Sequence, residues 1–271
     1  MQKNNFMNHW GNRDYSKIDR PEINSVLFYP RRSADYVIEN KFIKEIVIPL
    51  TDGGIISGIW AEAKNSRGTI LFFHGNGELA LEYVDIASIF LQSGINLICV
   101  DYCGYGKSSG YPTITSMIDD AHDIFEFVRK RIQLGKEILV VMGRSLGCAS
   151  ALEIAASYKN EVDGLIIESG FALTLPLLVT MGVDTDYLGI QESDGFGNDE
   201  KIKCFSKPIL IIHAENDFLI PINQAEILFT AVSSTNKKFL KIPDAGHNDI
   251  FFIGQPEYIQ ALNELMNTVK N

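Results

Sequence analysis

Short, almost unbroken apolar runs recur along this chain, separated by longer stretches in which apolar and polar residues mix. A run of the first kind suits a strand buried on both faces, and a longer mixed stretch suits a helix packed on one side. This reading places strands at 42–48, 55–61, 69–73, 95–101, 138–142, 164–168, 208–213 and 238–242. It places helices at 82–92, 116–133, 146–158, 223–231 and 256–269. Thr51-Asp52-Gly53-Gly54 joins the first two strands as a hairpin, since Asp-Gly tolerates the turn backbone that short hairpins need. From the third strand onward the alternation is that of parallel strands joined by right-handed helical crossovers. The expected fold class is therefore α/β: a mostly parallel, eight-stranded sheet with helices on both faces. Loops that carry function belong at the C-terminal ends of its strands.

Two segments stand outside this rhythm. Residues 1–27 read as a polar N-terminal extension, leaving 28–271 as a single domain. Between 171 and 205 a loop and one short helix replace a simple crossover, longer than the few residues such a connection needs. This segment is read as a short cap insertion. Its first half is apolar, with Leu175 and Leu178 among the residues that either line an acyl pocket or form an ordinary core helix. Its second half is acidic and is read as a solvated face.

The most informative pentapeptide is Gly143-Arg144-Ser145-Leu146-Gly147, between the run at 138–142 and a helix-forming stretch. Strand, Gly-x-Ser-x-Gly, helix is the context that turns a serine outward on a tight, strained turn. A serine hydroxyl needs a base, and the base needs an orienting carboxylate, which on such a sheet follow in the order acid, then histidine. Asp217 lies in the loop after the strand at 208–213, and His247 in the loop after the last strand. Glu215 competes for the acid role, and Asp244 and Asp249 lie close enough to His247 to contact it locally, although carboxylates so placed more often cap their own loop. Of the five histidines, His9 falls in the polar N-terminus and His122 on an amphipathic helix, while His74 and His213 end strands at the same sheet edge as Ser145. An oxyanion needs two N–H donors: Leu146, after the nucleophile, and Asn76, in the loop His74-Gly75-Asn76-Gly77 after the third strand. His74, Gly75, Gly77, Cys103, Tyr105 and Arg144 are further candidates to touch substrate.

Taken together, Leu27-Phe28-Tyr29-Pro30, the loop at 74–77, Asp101-Tyr102-Cys103-Gly104-Tyr105-Gly106, the serine pentapeptide, Asp217 and Gly246-His247 resemble the α/β-hydrolase superfamily. The likeness is to compact serine hydrolases of the monoacylglycerol-lipase and α/β-hydrolase-domain depalmitoylase kind. It implies an acyl-enzyme mechanism on carboxylic esters or thioesters, with no metal and no cofactor. Two positions depart from the family pattern: Cys103 stands where an arginine is common, and Ala214 where a glycine is.

Composition narrows the partners. Lys and Arg number 24 against 34 Asp and Glu, a net charge of −10 that disfavours nucleic acid and anionic membranes. The four cysteines show neither metal spacing nor disulfide density. No apolar stretch is long enough to span a membrane, and the setting is read as cytoplasmic. The expected partner is a small ester or thioester, with oligomeric state left open. The competing readings are a binding protein on the same fold and an amide or peptide hydrolase using the same three residues.

Overall fold

The computed structural model describes Trp10 and residues 13–34, 37–132 and 137–270. His9, Gln133 at the end of an expected helix, and most of residues 1–12 lie outside the described residues. The eight strands are β1 (Ile43–Pro49), β2 (Ile55–Ala61), β3 (Thr69–Phe73), β4 (Asn96–Val100), β5 (Leu139–Arg144), β6 (Gly164–Glu168), β7 (Ile209–Ala214) and β8 (Lys237–Ile242). They form one sheet in the order β1-β2-β4-β3-β5-β6-β7-β8. The β1–β2 and β2–β4 pairs are antiparallel and the rest parallel. β2, β3 and β6 match the expected spans. β5 runs two residues further than expected, because Gly143 and Arg144 still pair with Ile167 and Glu168.

The helices are α1 (Pro21–Leu27), α2 (Val84–Gln92), α3 (Ile114–Arg131), α4 (Cys148–Ser157), α5 (Thr174–Thr180), α6 (Asn198–Lys203), α7 (Asn223–Ala231), α8 (Ile250–Ile253) and α9 (Gln255–Lys270). The pleat of the central strands explains their two-sided burial. Leu71, Phe73, Val141 and Ile167 point into one core with α3, α4 and α7. Their neighbours Ile70, Phe72, Val140 and Ile166 point into another with α2 and α9. Each such side chain contributes about 1.5–3 kcal/mol by leaving water.

Two expectations need correction. Residues 15–27 are not a free polar extension: Tyr15, Ile18, Ile23 and Leu27 are buried in the first core. Their apolar character is diluted in sequence by charged neighbours, and Pro21 in the first turn suits the start of α1. The segment 171–205 holds two helices, α5 and α6, and a 3₁₀ turn at Glu192–Asp194. Leu178 is fully buried and Leu175 half-buried against the same core, so this apolar half packs as core helix. The acidic half is only partly solvated. The Glu192 carboxylate accepts from the Thr174 and Leu175 N–H groups at 2.5 and 2.9 Å, where it caps α5 and complements its dipole. Asp194 pairs with Lys17 at 3.0 Å.

Candidate active site

The strand β5 delivers Ser145 into a 3₁₀ turn, Ser145–Gly147, that leads directly into α4. Ser145 has φ +51°, in the left-handed region where a side chain costs about 1–3 kcal/mol. The flanking glycines are required by close approach. A Cβ on Gly143 would lie 2.5 Å from the Gly147 carbonyl oxygen, and one on Gly147 would lie 2.2 Å from that of Phe73.

Three side chains from three loops form one hydrogen-bonded chain. Ser145 Oγ donates to His247 Nε2 at 3.0 Å, and His247 Nδ1 donates to Asp217 Oδ2 at 2.7 Å. The other carboxylate oxygen, Asp217 Oδ1, accepts from the backbone N–H groups of Leu219 and Ile220 at 3.0 and 2.8 Å. Burial pushes the Asp217 carboxyl up, but the His247 hydrogen bond and charge outweigh it and hold it below the usual range. A proton on Nδ1 leaves the Nε2 lone pair facing the hydroxyl, the tautomer a general base needs.

The rival residues go elsewhere. Glu215 is exposed and pairs with Lys241 at 2.5 Å, and Asp249 Oδ1 caps its own loop at the Gly246 N–H, 2.7 Å away. Asp244 is an exposed residue with φ +61°. His213 is fully buried behind Asp217 with its Nε2 on the Ile220 carbonyl at 2.8 Å, and burial lowers its pKa. His122 is buried among α3 and α4, 3.0 Å from the Tyr158 hydroxyl.

The loop after β3 packs onto the serine turn through Gly147, whose close approach to the Phe73 and His74 carbonyls brings the Leu146 peptide against it. Leu146 stands in the first turn of a helical segment, where an N–H has no intrahelical acceptor. The Asn76 side chain is fixed in place: Oδ1 accepts from the Tyr29 N–H and the Tyr105 hydroxyl, both at 2.7 Å. Gly77 has φ +74°, which a side chain would strain.

Several candidates for substrate contact turn out to build this loop. His74 is fully buried, ring to ring with Tyr102, 3.4 Å from Asp101 and with Nδ1 on the Gly75 carbonyl. Tyr105 is fully buried and holds Asn76. The Gly75 N–H is committed to Glu78 Oε2 at 2.8 Å. Cys103 is buried in the core, and burial first, then Asp120, raises its thiol pKa, so it is not an activated thiol. Arg144 is only 7% exposed and turns inward, to Glu78, Glu168 and the His247 carbonyl. Glu78, Glu168, Tyr83 and Tyr258 around it were not anticipated; only Glu78 carried a signal, as the end of the His74 loop. Beside them opens a cavity of about 270 Å³, walled by Phe72, Phe90, Met142 and Phe251.

Comparison with known proteins agrees with this fold. Solved structures superpose on nearly the whole chain: an esterase of Pyrococcus furiosus, Pf2001, has a TM-score of 0.71 at 18% identity, covering 89% of this chain and 97% of that one. A soluble variant of the monoglyceride lipase of Saccharomyces cerevisiae has a TM-score of 0.67 at 15% identity, covering 88% and 99%. The chain has the α/β-hydrolase fold. Residues 64–181 of the chain match the Hydrolase_4 family, described as serine aminopeptidase, S33. It is 28% identical over 192 residues to protein bem46 of Schizosaccharomyces pombe, a match over 70% of this chain and 64% of that protein. It is likewise 28% identical over 210 residues to the human α/β hydrolase domain-containing protein 17B, covering 75% and 67%. Among the described residues no helix is long and apolar enough to cross a membrane. Nor do His, Cys, Asp or Glu side chains gather there in threes that could hold a metal ion.

Proposed function

We propose that this α/β-hydrolase is a serine hydrolase that cleaves carboxylic ester or thioester bonds through an acyl-enzyme. The observation that carries the reading is the continuous chain Ser145–His247–Asp217, at 3.0 and 2.7 Å, with the serine on a left-handed turn. Ser145 Oγ attacks the carbonyl carbon while His247 Nε2 takes its proton. Asp217 keeps the imidazole in the right tautomer and stabilises the imidazolium. The N–H groups of Asn76 and Leu146 receive the oxyanion, each worth roughly 3–4 kcal/mol by the cost of deleting such a donor. His247 returns its proton to the leaving alcohol or thiol, then activates water to release the acid.

The net charge of −10 favours neutral substrates over anionic acyl carriers. A reduced, cytoplasmic setting is part of the proposal and fits four unpaired cysteines. The description of the matching family favours amide cleavage as the second reading. Reaction with a fluorophosphonate probe, then turnover of p-nitrophenyl esters from C2 to C16 and of leucine p-nitroanilide, separates the two. The expected result is labelling and ester turnover, both abolished in Ser145→Ala with an unchanged fold. Normal turnover in that variant overturns the assignment, and anilide turnover without ester turnover replaces it with the second reading.

A further inference from the structure

We propose that Arg144 is a positioning residue for this reaction, holding the oxyanion loop and the His247 loop in register with the nucleophile that follows it in sequence. The inference rests on the hydrolase reading above and adds a part to it. A guanidinium is a rigid planar fork, and here each of its three nitrogens serves a different segment. Nε donates to Glu168 Oε1 at the end of β6, at 3.0 Å. Nη1 donates to Glu78 Oε1, and Nη2 donates to the backbone carbonyl of His247 at 2.6 Å. Each nitrogen already has an acceptor within the protein.

The bonds continue outward to the reacting geometry. Glu78 Oε2 accepts the Gly75 N–H at 2.8 Å and the Tyr83 hydroxyl at 2.5 Å, so Arg144 reaches the backbone just before Asn76 through one carboxylate. A Cβ on Gly75 would lie 2.8 Å from both Arg144 Nη1 and Glu78 Oε1, which shows how tightly the loop closes over this pair. Glu168 is held from its other side by the Tyr258 hydroxyl at 2.5 Å. Burial pushes the Glu78 carboxyl up, yet Arg144 and His74 outweigh it and keep it ionised below the usual range. The carbonyl that Nη2 grips belongs to the base itself, so its position sets where the His247 ring stands against Ser145 Oγ. One buried cation thereby links the turn of the nucleophile to the oxyanion loop and the base, through Glu78 and His247, 66 and 103 residues away in the chain.

A misplacement of about 1 Å in such a constellation costs on the order of 100-fold in rate. The test uses the full chain with a short p-nitrophenyl ester, measuring kcat and KM well below each variant's own thermal midpoint, alongside fluorophosphonate labelling. Arg144→Met is expected to lose kcat about 100-fold with KM within about threefold, the signature of contacts that matter only in the transition state. Arg144→Lys, a point charge that cannot span three acceptors, is expected not to rescue it. Glu78→Gln is expected to lose about tenfold in kcat. The double variant is expected to fall no further than Arg144→Met alone, because both act through one contact. Should Arg144→Met fail to fold, Glu78→Gln decides: unchanged kcat overturns the proposal. A lower thermal midpoint with kcat retained in Arg144→Met leaves the residue merely structural, and a raised KM with kcat retained makes it a substrate contact; either overturns it. A wild-type protein that neither labels nor turns over overturns the hydrolase reading and this proposal together, whereas an active wild type with an active Arg144→Met overturns this proposal alone.

Discussion

Replacing Asp217 by asparagine tests the proposed site at the atom where it is most constrained. The new side-chain amide has two orientations. With its oxygen toward the Leu219 and Ile220 N–H groups, both backbone donors stay satisfied. Its NH₂ then donates to His247 Nδ1, which moves the imidazole proton to Nε2. Nε2 now faces Ser145 as a donor and has no lone pair to take the hydroxyl proton. The flipped orientation restores the right tautomer but turns the NH₂ toward the Leu219 and Ile220 N–H groups, the first part-buried and the second buried. Each donor so orphaned costs about 1–3 kcal/mol, hence about 2–6 kcal/mol for the productive form. At 1.36 kcal/mol per decade that is a loss of roughly 10²- to 10⁴-fold in kcat, and the worked case of the same substitution in a serine protease lies at the upper end. The assay is steady-state ester hydrolysis, with circular dichroism to show that the variant is folded. A folded Asp217→Asn protein within tenfold of wild type refutes the reasoning, since no orientation of the amide permits it.

Burial pushes the Asp120 carboxyl up to about 7, with the Cys103 thiol pulling the other way and Asp52 adding to the rise. A raised carboxyl stabilises the fold fully below its unfolded value, 3.8, and loses that contribution as pH climbs through about 7. Asp120→Asn is therefore expected to raise the thermal midpoint at pH 8 and leave it unchanged near pH 4; equal shifts at both refute the assignment. Gly147→Ala is expected to cost at least about 100-fold in ester turnover, as for one lost oxyanion donor, because its Cβ would lie 2.2 Å from the Phe73 carbonyl and must part the Asn76 loop from Leu146. A folded Gly147→Ala protein with normal kcat counts against the two-loop oxyanion site.

What was legible in the sequence was what local pattern determines. Unbroken apolar runs located the central strands and mixed runs β1 and β8, and the glycines around Ser145 announced a close approach that the packing of Gly147 on Phe73 explains. Chain order alone brought Ser145, Asp217 and His247 to one edge, because parallel strands all end there. Arg144 was misread as facing substrate: its neighbours in sequence are Gly143 and Ser145, whereas its partners Glu78 and Glu168 come from other strands' ends. His74 and Tyr105 were misplaced for the same reason, since a polar residue at a strand end can turn either toward the cleft or beneath the loop. Residues 15–27 escaped because burial of Tyr15, Ile18, Ile23 and Leu27 depends on a surface supplied by the rest of the fold.

The strand β8 closes the sheet on one side and, among the described residues, pairs with β7 alone. Most of its residues are partly exposed, and Lys238 and Lys241 guard its outer edge through ion pairs with Glu264 and Glu215. The histidine hangs from the loop just beyond it. Edge strands open by local fraying at far lower free energy than the global transition. A chain folded through seven strands but frayed at the eighth would keep Ser145 on its turn and lose the placement of His247, the proposed base.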